Sequence, residues 1–240
     1  MTTTSTLRPS SVTEDVACRL VTAIAVGTFS PGERLPSERE LATRLEVSRV
    51  TVRQALQRVG ELGLVVARRG LHGGTFVTTQ AWEDVAPEEA RRTLETELPR
   101  LRDLFDYRCL VEGLIARTAA ERRTPQQRTE LTEALAAFAT TGTAMELARA
   151  WDRRLHGLIC AAAGNPHLTA LSAHLTAAAT LGFGAEPYEP EFFAQALHEH
   201  GELVAAVVEG DAERAQRIAQ GHFALTYRTM ERSLERAARR

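Results

Sequence analysis

The chain has 240 residues, 44% of them hydrophobic and only 5% aromatic, so it holds enough apolar material for two packed domains, and its abundant alanine favours helix over sheet. The net charge of −2 conceals an asymmetry: residues 1–80 carry 10 Arg against 7 acids (+3), and residues 81–240 carry 19 Arg against 24 acids (−5), a pattern that suits nucleic-acid binding at one end only. No apolar run approaches the ~18 residues of a membrane helix, and the three widely spaced cysteines, Cys18, Cys109 and Cys160, exclude a CxxC zinc site and read as buried reduced thiols of a cytoplasmic protein.

Residues 1–11 read as a disordered polar tail without an apolar h-region, so no signal peptide is expected there. Periodicity predicts a helix from about Val12 to Val26, with Val16, Leu20, Ala23 and Ile24 on one face and Gly27 and Pro31-Gly32 ending it. Ser37 with Glu40 three residues on is a capping box, opening a short helix with Leu41, Ala42 and Leu45 as its stripe. Ser48 caps the next helix, which runs to about Leu62 with Val52, Ala55, Leu56 and Val59 inward. Its first turn leaves Ser48, Arg49, Thr51 and Arg53 facing outward. Hydroxyls and helix N-terminal amides suit phosphate, and Arg can fork onto guanine O6 and N7. Two predicted strands, 64–67 and 75–77, flank the loop from Arg68 to Gly74, where glycines allow close approach of backbone and two arginines and a histidine supply charge. Two short helices, a sharp link and a basic hairpin make a winged helix-turn-helix over residues 12–79, laid out for the major groove of DNA.

Segment 34–77 resembles the winged-helix domain of the GntR family of bacterial transcription regulators, through LPSERELA, VSRVTVRQAL and the GLV…RRGLHGGTFV wing. The resemblance implies that Arg39 meets phosphate or a base edge. It implies further that Ser48, Arg49 and Thr51 sit at the groove, with Arg49 as guanine reader, and that Arg53 reaches phosphate or base. Arg69, Gly70, His72 and Gly73 would form the wing tip near the minor groove. Val50 departs from the small or polar residue common there, and either a thymine methyl or the protein core could receive it.

Residues 80–87 read as a linker, with Trp82 suggesting that it is docked. The remainder, 88–240, reads as an all-helical bundle, with helices predicted at roughly 87–97, 100–123, 125–140, 143–163, 166–183, 190–209 and 211–237. Pro99, Thr124-Pro125, Gly142, Gly164-Asn165-Pro166, the stretch 182–190 and Gly210-Asp211 supply the breaks. The predicted fold is therefore mostly α: an N-terminal winged helix-turn-helix followed by a C-terminal α bundle.

Within that bundle, Asp152 and His156 stand four apart on one helix, and His200 and His222 lie on two later helices. One carboxylate and three imidazoles suit a divalent ion such as Zn²⁺, Ni²⁺, Mn²⁺ or Fe²⁺. The same i, i+4 spacing also fits a plain ion pair or a capped core histidine. Residues 103–236 resemble the ligand-binding FCD domain of the FadR-like GntR subgroup, through Asp106-Tyr107-Arg108…Glu112, Asp152-x-x-x-His156, Ala163-Gly164-Asn165, Glu199-His200 and His222. That resemblance implies Asp152, His156, His200 and His222 as metal ligands, and leaves His72, His167, His174 and His198 outside the set. It implies Arg108 as the partner of an effector carboxylate; an intrahelical pair with Glu112 is the alternative. The resulting expectation is a homodimeric regulator, by default a repressor, that binds a pseudo-palindromic operator under control of a small organic acid. A metal-dependent hydrolase or lyase is the rival reading, weakened because no general base or nucleophile stands at motif spacing to the ligands.

Overall fold

The structure is a computed structural model that describes residues 11–70, 73–142, 144–184, 186–187 and 190–239. Helix α1 (Val12–Ala25) starts on the side chain of Ser11, which accepts from the amide of Glu14. Helix α2 (Glu38–Arg44) carries the full Ser37/Glu40 capping box, and α3 (Arg49–Glu61) starts on Ser48. Between them Glu46 takes a left-handed φ of 55°, which turns the chain sharply enough to set two short helices against one another. The wing is an antiparallel pair, β1 (Val65–Arg68) and β2 (Gly74–Val77), in register from Val65 opposite Val77 to Arg68 opposite Gly74.

The linker folds into a short helix, α4 (Trp82–Val85), whose Trp82 is buried. The trunk follows as α5 (Pro87–Arg122), α6 (Pro125–Ala139), α7 (Met145–Ala163), α8 (Pro166–Ala179), α9 (Pro190–Glu209), α10 (Ala212–Phe223) and α11 (Leu225–Ala238). Two predicted boundaries need correction. Pro99 does not break α5, which runs unbroken for 36 residues. The carbonyl deprived of its partner belongs to exposed Glu95, where water can satisfy it, while Leu94, Leu98 and Leu101 are buried and hold both sides of the proline in one line. Conversely, the segment predicted as one helix over 211–237 divides at Ala224 into α10 and α11. Packing divides them: α10 lies against α5 in the trunk core, whereas Met230 and Ala237 of α11 enter the core of the head. The thiols need a correction of degree, since Cys160 is buried but Cys18 and Cys109 are only half-buried.

Head and trunk share apolar packing. One core joins Leu20, Leu41, Val52 and Val59 of the head with Leu94, Leu98, Leu101 and Phe105 of α5 and Phe183 after α8. A second core, around Ile115, Leu131, Leu155 and Leu203, belongs to the trunk alone. None of the helices in the described residues is long and apolar enough to cross a membrane.

Candidate functional site

On the head, the first turn of α3 points outward. Ser48 Oγ accepts from the Thr51 amide at 3.0 Å and lies 2.8 Å from Thr51 Oγ1, so these hydroxyls order the turn that presents Arg49. Arg39 and Arg49 are exposed. Arg53 is exposed but engaged, its Nη2 lying 2.8 Å from Glu38, whose carboxyl that hydrogen bond holds below its ordinary pKa. Val50 is 62% exposed, so packing in the core is not its role. At the wing, Gly70 takes φ 109° in open space, and a Cβ at Gly73 would stand 2.5 Å from the Arg68 carbonyl oxygen, which only glycine tolerates. Arg69 is exposed beside them, and His72, expected at the wing tip, lies outside the described residues.

The trunk gathers its polar chemistry inside. Helix α7 supplies Asp152 and His156, α9 supplies His200 and α10 supplies His222. The Nε2 atoms of His200 and His156 lie 3.2 Å apart, those of His200 and His222 3.0 Å, and those of His222 and His156 3.4 Å. Asp152 Oδ1 stands 3.5 Å from His156 Nε2 and 3.4 Å from His200 Nε2. Donors sharing one ion at ~2.1 Å lie ~3.0 Å apart at right angles and ~3.4 Å apart at tetrahedral angles, so the three imidazole nitrogens have the spacing of a single coordination shell, with the Asp152 carboxylate beside two of them.

At His200 and His222 protonation agrees with that arrangement. Burial, followed by the neighbouring His222, holds His200 well below its ordinary pKa and keeps it a neutral lone-pair donor. Burial opposes charge on His156 too, but the Asp152 carboxylate outweighs it and raises that pKa. Glu199 lies 2.9 Å from His222 Nδ1. Burial alone would raise the Glu199 pKa, but hydrogen bonds from His222 and Gln195 bring it below the ordinary value, so Glu199 accepts and His222 donates from Nδ1. That fixes the tautomer and leaves His222 Nε2 free to ligate.

Beside this cluster lies a cavity of ≈ 360 Å³ lined by Asp152, His156, Arg108, Arg149, Arg153 and Glu186, with apolar walls that include Phe223. Arg108 is 2% exposed. Its Nη2 donates to Glu186 at 2.7 Å and Thr176 at 3.3 Å, and its guanidinium stacks on Phe223 at 4.6 Å. Its Nε and Nη1 are buried without a hydrogen-bond partner. The alternative pairing with Glu112 is not what the fold uses, since Glu112 accepts from Ser172 at 2.6 Å. Arg149 spans from the cavity to the head: Nη1 lies 2.6 Å from Glu33, and Nη2 donates to the Thr28 carbonyl at 2.6 Å.

Residues 103–225 match the FCD domain, and residues 12–77 match the family described as bacterial regulatory proteins, gntR family. The chain belongs to the GntR family. It is 34% identical over 210 residues to the HTH-type transcriptional regulator RmpR of Mycobacterium gastri, covering 85% of this chain and 75% of that protein. It is 29% identical over 238 residues to the Escherichia coli protein named for regulation of the L-lactate dehydrogenase operon, covering 96% and 91%. It is 28% identical over 215 residues to the galactonate operon transcriptional repressor of Escherichia coli, covering 86% and 91%. The GntR protein described here is a DNA-binding transcriptional regulator with an FCD effector domain, and the reading as a hydrolase or lyase gives way to that.

In this GntR regulator the four residues predicted as ligands converge, and Arg108 joins them across the cavity. His167 and His174 are exposed, and exposed His198 lies 3.8 Å from Glu202, all three away from the cluster. Sequence reasoning missed Arg149 and Arg153 on α7, Thr176 on α8, Glu186 and Thr226. The α7 pair carried a signal: Arg149, Asp152, Arg153 and His156 follow i, i+3, i+4, i+7 and form one polar stripe along the helix.

Proposed function

We propose that this GntR regulator senses a small carboxylate beside a divalent cation in its FCD domain and transmits that event to an operator-bound homodimer. The observation that carries the reading is the convergence of three histidine Nε2 atoms beside Asp152, next to a cavity in which a buried arginine has unused N–H groups. Asp152, His156, His200 and His222 would hold the ion, whether Zn²⁺, Ni²⁺, Mn²⁺ or Fe²⁺. When bound, it supplies a positive Lewis-acid centre to which a carboxylate or hydroxyl oxygen binds. Arg108 supplies the second positive partner and orients the acid by its planar fork.

A cavity of ≈ 360 Å³ lies near the lower end of ordinary ligand sites, which favours a compact acid over a fatty acyl thioester. Two relatives are named for operons of lactate and galactonate, both hydroxy acids, and the same class fits here.

Arg39, Ser48, Arg49, Thr51, Arg53, Arg69, Gly70, His72 and Gly73 form the DNA-contacting set in this reading. A single winged helix covers one half-site, so two copies serve a pseudo-palindromic operator. The exposed apolar stripe Tyr107, Leu110 and Leu114 on α5 supports pairing of trunks. Arg149 supports a route from ligand to DNA, because Glu33 lies in the turn that pairs with β2: the Val77 amide donates to the Glu33 carbonyl at 2.9 Å. An acid that induces must bind operator-free protein more tightly, and repression with release by the acid is the sense we assign, in the cytoplasm.

The test combines metal analysis of gently purified protein with a thermal-shift screen of small hydroxy acids against metal-loaded and chelated forms. A stoichiometric divalent ion and an acid whose stabilisation needs it are expected. Protein without any divalent ion, or stabilised equally after chelation by every acid that binds, contradicts the proposal.

A further inference from the structure

We infer that Glu186 is a built-in occupant of the cavity's carboxylate seat, formed by Arg108, Thr176 and Thr226, and that an acid ligand enters by taking its place. This rests on reading the cavity as an acid-binding site. Glu186 Oε1 accepts from Arg108 Nη2, and Oε2 accepts from the Thr226 hydroxyl. Thr176 completes the seat at 3.3 Å from the same Arg108 nitrogen. The carboxylate also lines both the large cavity and the smaller recess bounded by Asp152, His156 and His222, so it stands between the open space and the histidine cluster.

The fit is incomplete in an informative way. Glu186 engages Arg108 through one nitrogen, while Nε and Nη1, both buried, have no partner. A carboxylate lying side-on along the guanidinium uses two N–H groups, which is the stronger geometry. Glu186 thus neutralises the seat without filling its donor capacity, and an incoming acid can do both. Its side chain retains 14% exposure, whereas that of Arg108 has 2%, so the carboxylate is the partner that can withdraw towards water. The seat selects anions, because an amine or a neutral sugar that displaced Glu186 would leave Arg108 buried and unpaired.

The neighbours of the seat lead to the DNA-binding head on two sides. Three residues before Glu186, the Phe183 carbonyl accepts from Arg44 of α2 at 3.0 Å, and its ring packs edge-on against Phe29 at 5.2 Å. Thr226 lies in the first turn of α11, the helix whose Ser233 hydroxyl donates at 3.0 Å to the Ala25 carbonyl at the end of α1. Displacement of Glu186 therefore loosens a tie between two segments that both hold the head.

Acetate, which carries the same carboxylate as the Glu side chain, tests this. Glu186→Ala should melt below the wild type and regain stability with sodium acetate, but not with sodium chloride of equal ionic strength. Glu186→Ala combined with Arg108→Gln should show no acetate response. Glu186→Gln keeps the side chain's shape and should take up acetate at a roughly tenfold lower concentration than the wild type. If the single alanine variant does not fold, this comparison carries the test. Equal responses of Glu186→Ala to acetate and chloride, or equal acetate midpoints for Glu186→Gln and wild type, would overturn the inference. Each titration is run with and without chelator. Acetate rescue that survives chelation, in protein that never carried a metal, supports the Glu186 seat while removing the metal-assisted sensor.

Discussion

The two halves of the molecule hold their charges in opposite ways. The head displays Arg39, Arg49 and Arg69 to water, on a helix start and a wing whose packing does not depend on them. The trunk buries Arg108, Arg149, Asp152 and His200, each below 9% exposure, where an unmatched charge is costly. A surface reader can be changed without harm to the fold; a buried sensor ties its ligand chemistry to its stability. Recognition of DNA and recognition of an effector should therefore separate cleanly in mutants.

The sharpest challenge to that contrast is Arg149→Ala, which strands the Glu33 carboxylate and the Thr28 carbonyl between head and trunk. Because Glu33 is partly exposed, the loss should fall at the lower end of the range for broken buried pairs, about 3 kcal/mol, read by urea denaturation. A loss below about 1 kcal/mol would mean that the two halves do not lean on this bridge. Arg49→Ala should instead leave the urea midpoint unchanged and weaken operator binding by roughly 1–3 kcal/mol, with relaxed choice at one base pair. Anisotropy against operator and scrambled duplexes decides, and intact discrimination would remove Arg49 as a reader. Glu199→Gln touches neither DNA nor ligand cavity. It should weaken metal affinity about 10- to 100-fold by releasing the His222 ring, as competition with a chelator would show; wild-type affinity would deny Glu199 that role. The smallest effect concerns Cys160, which lines the cavity and whose thiol burial pushes up to about 11. Its thiolate is the reactive form, so alkylation should be very slow at neutral pH and quicken roughly tenfold per unit as pH rises towards that value. Fast labelling of Cys160 at pH 7 would mean that the cavity is wetter than its walls suggest.

The same contrast explains what the sequence revealed. Capping at Ser37 and Ser48 and the break at Thr124-Pro125 are local chemistry and were legible directly. The helical spacing of Asp152 and His156 was equally plain, although the convergence of His200 and His222 on them rested on family likeness. Pro99 misled because its cost depends on whether the freed carbonyl meets water, which is a tertiary fact. The division at Ala224 carried no clear signal, since that residue keeps right-handed angles (φ −74°, ψ −14°) and the nearby Gly221 lies inside α10 rather than at its end. Glu186 was unreadable for a related reason: its partners, Arg108 and Thr226, lie 78 and 40 residues away, and no periodicity reports such pairings.

The apolar cluster that runs from Leu41 and Val52 through Leu98 and Phe105 to Met230 has a thermodynamic corollary. Calorimetry should record a single endotherm for the whole polypeptide rather than one peak for each half, since neither can melt without exposing oily surface on the other. Grafting this reading head onto another regulator's body would fail unless the first turns of α5 and the last helix travelled with it.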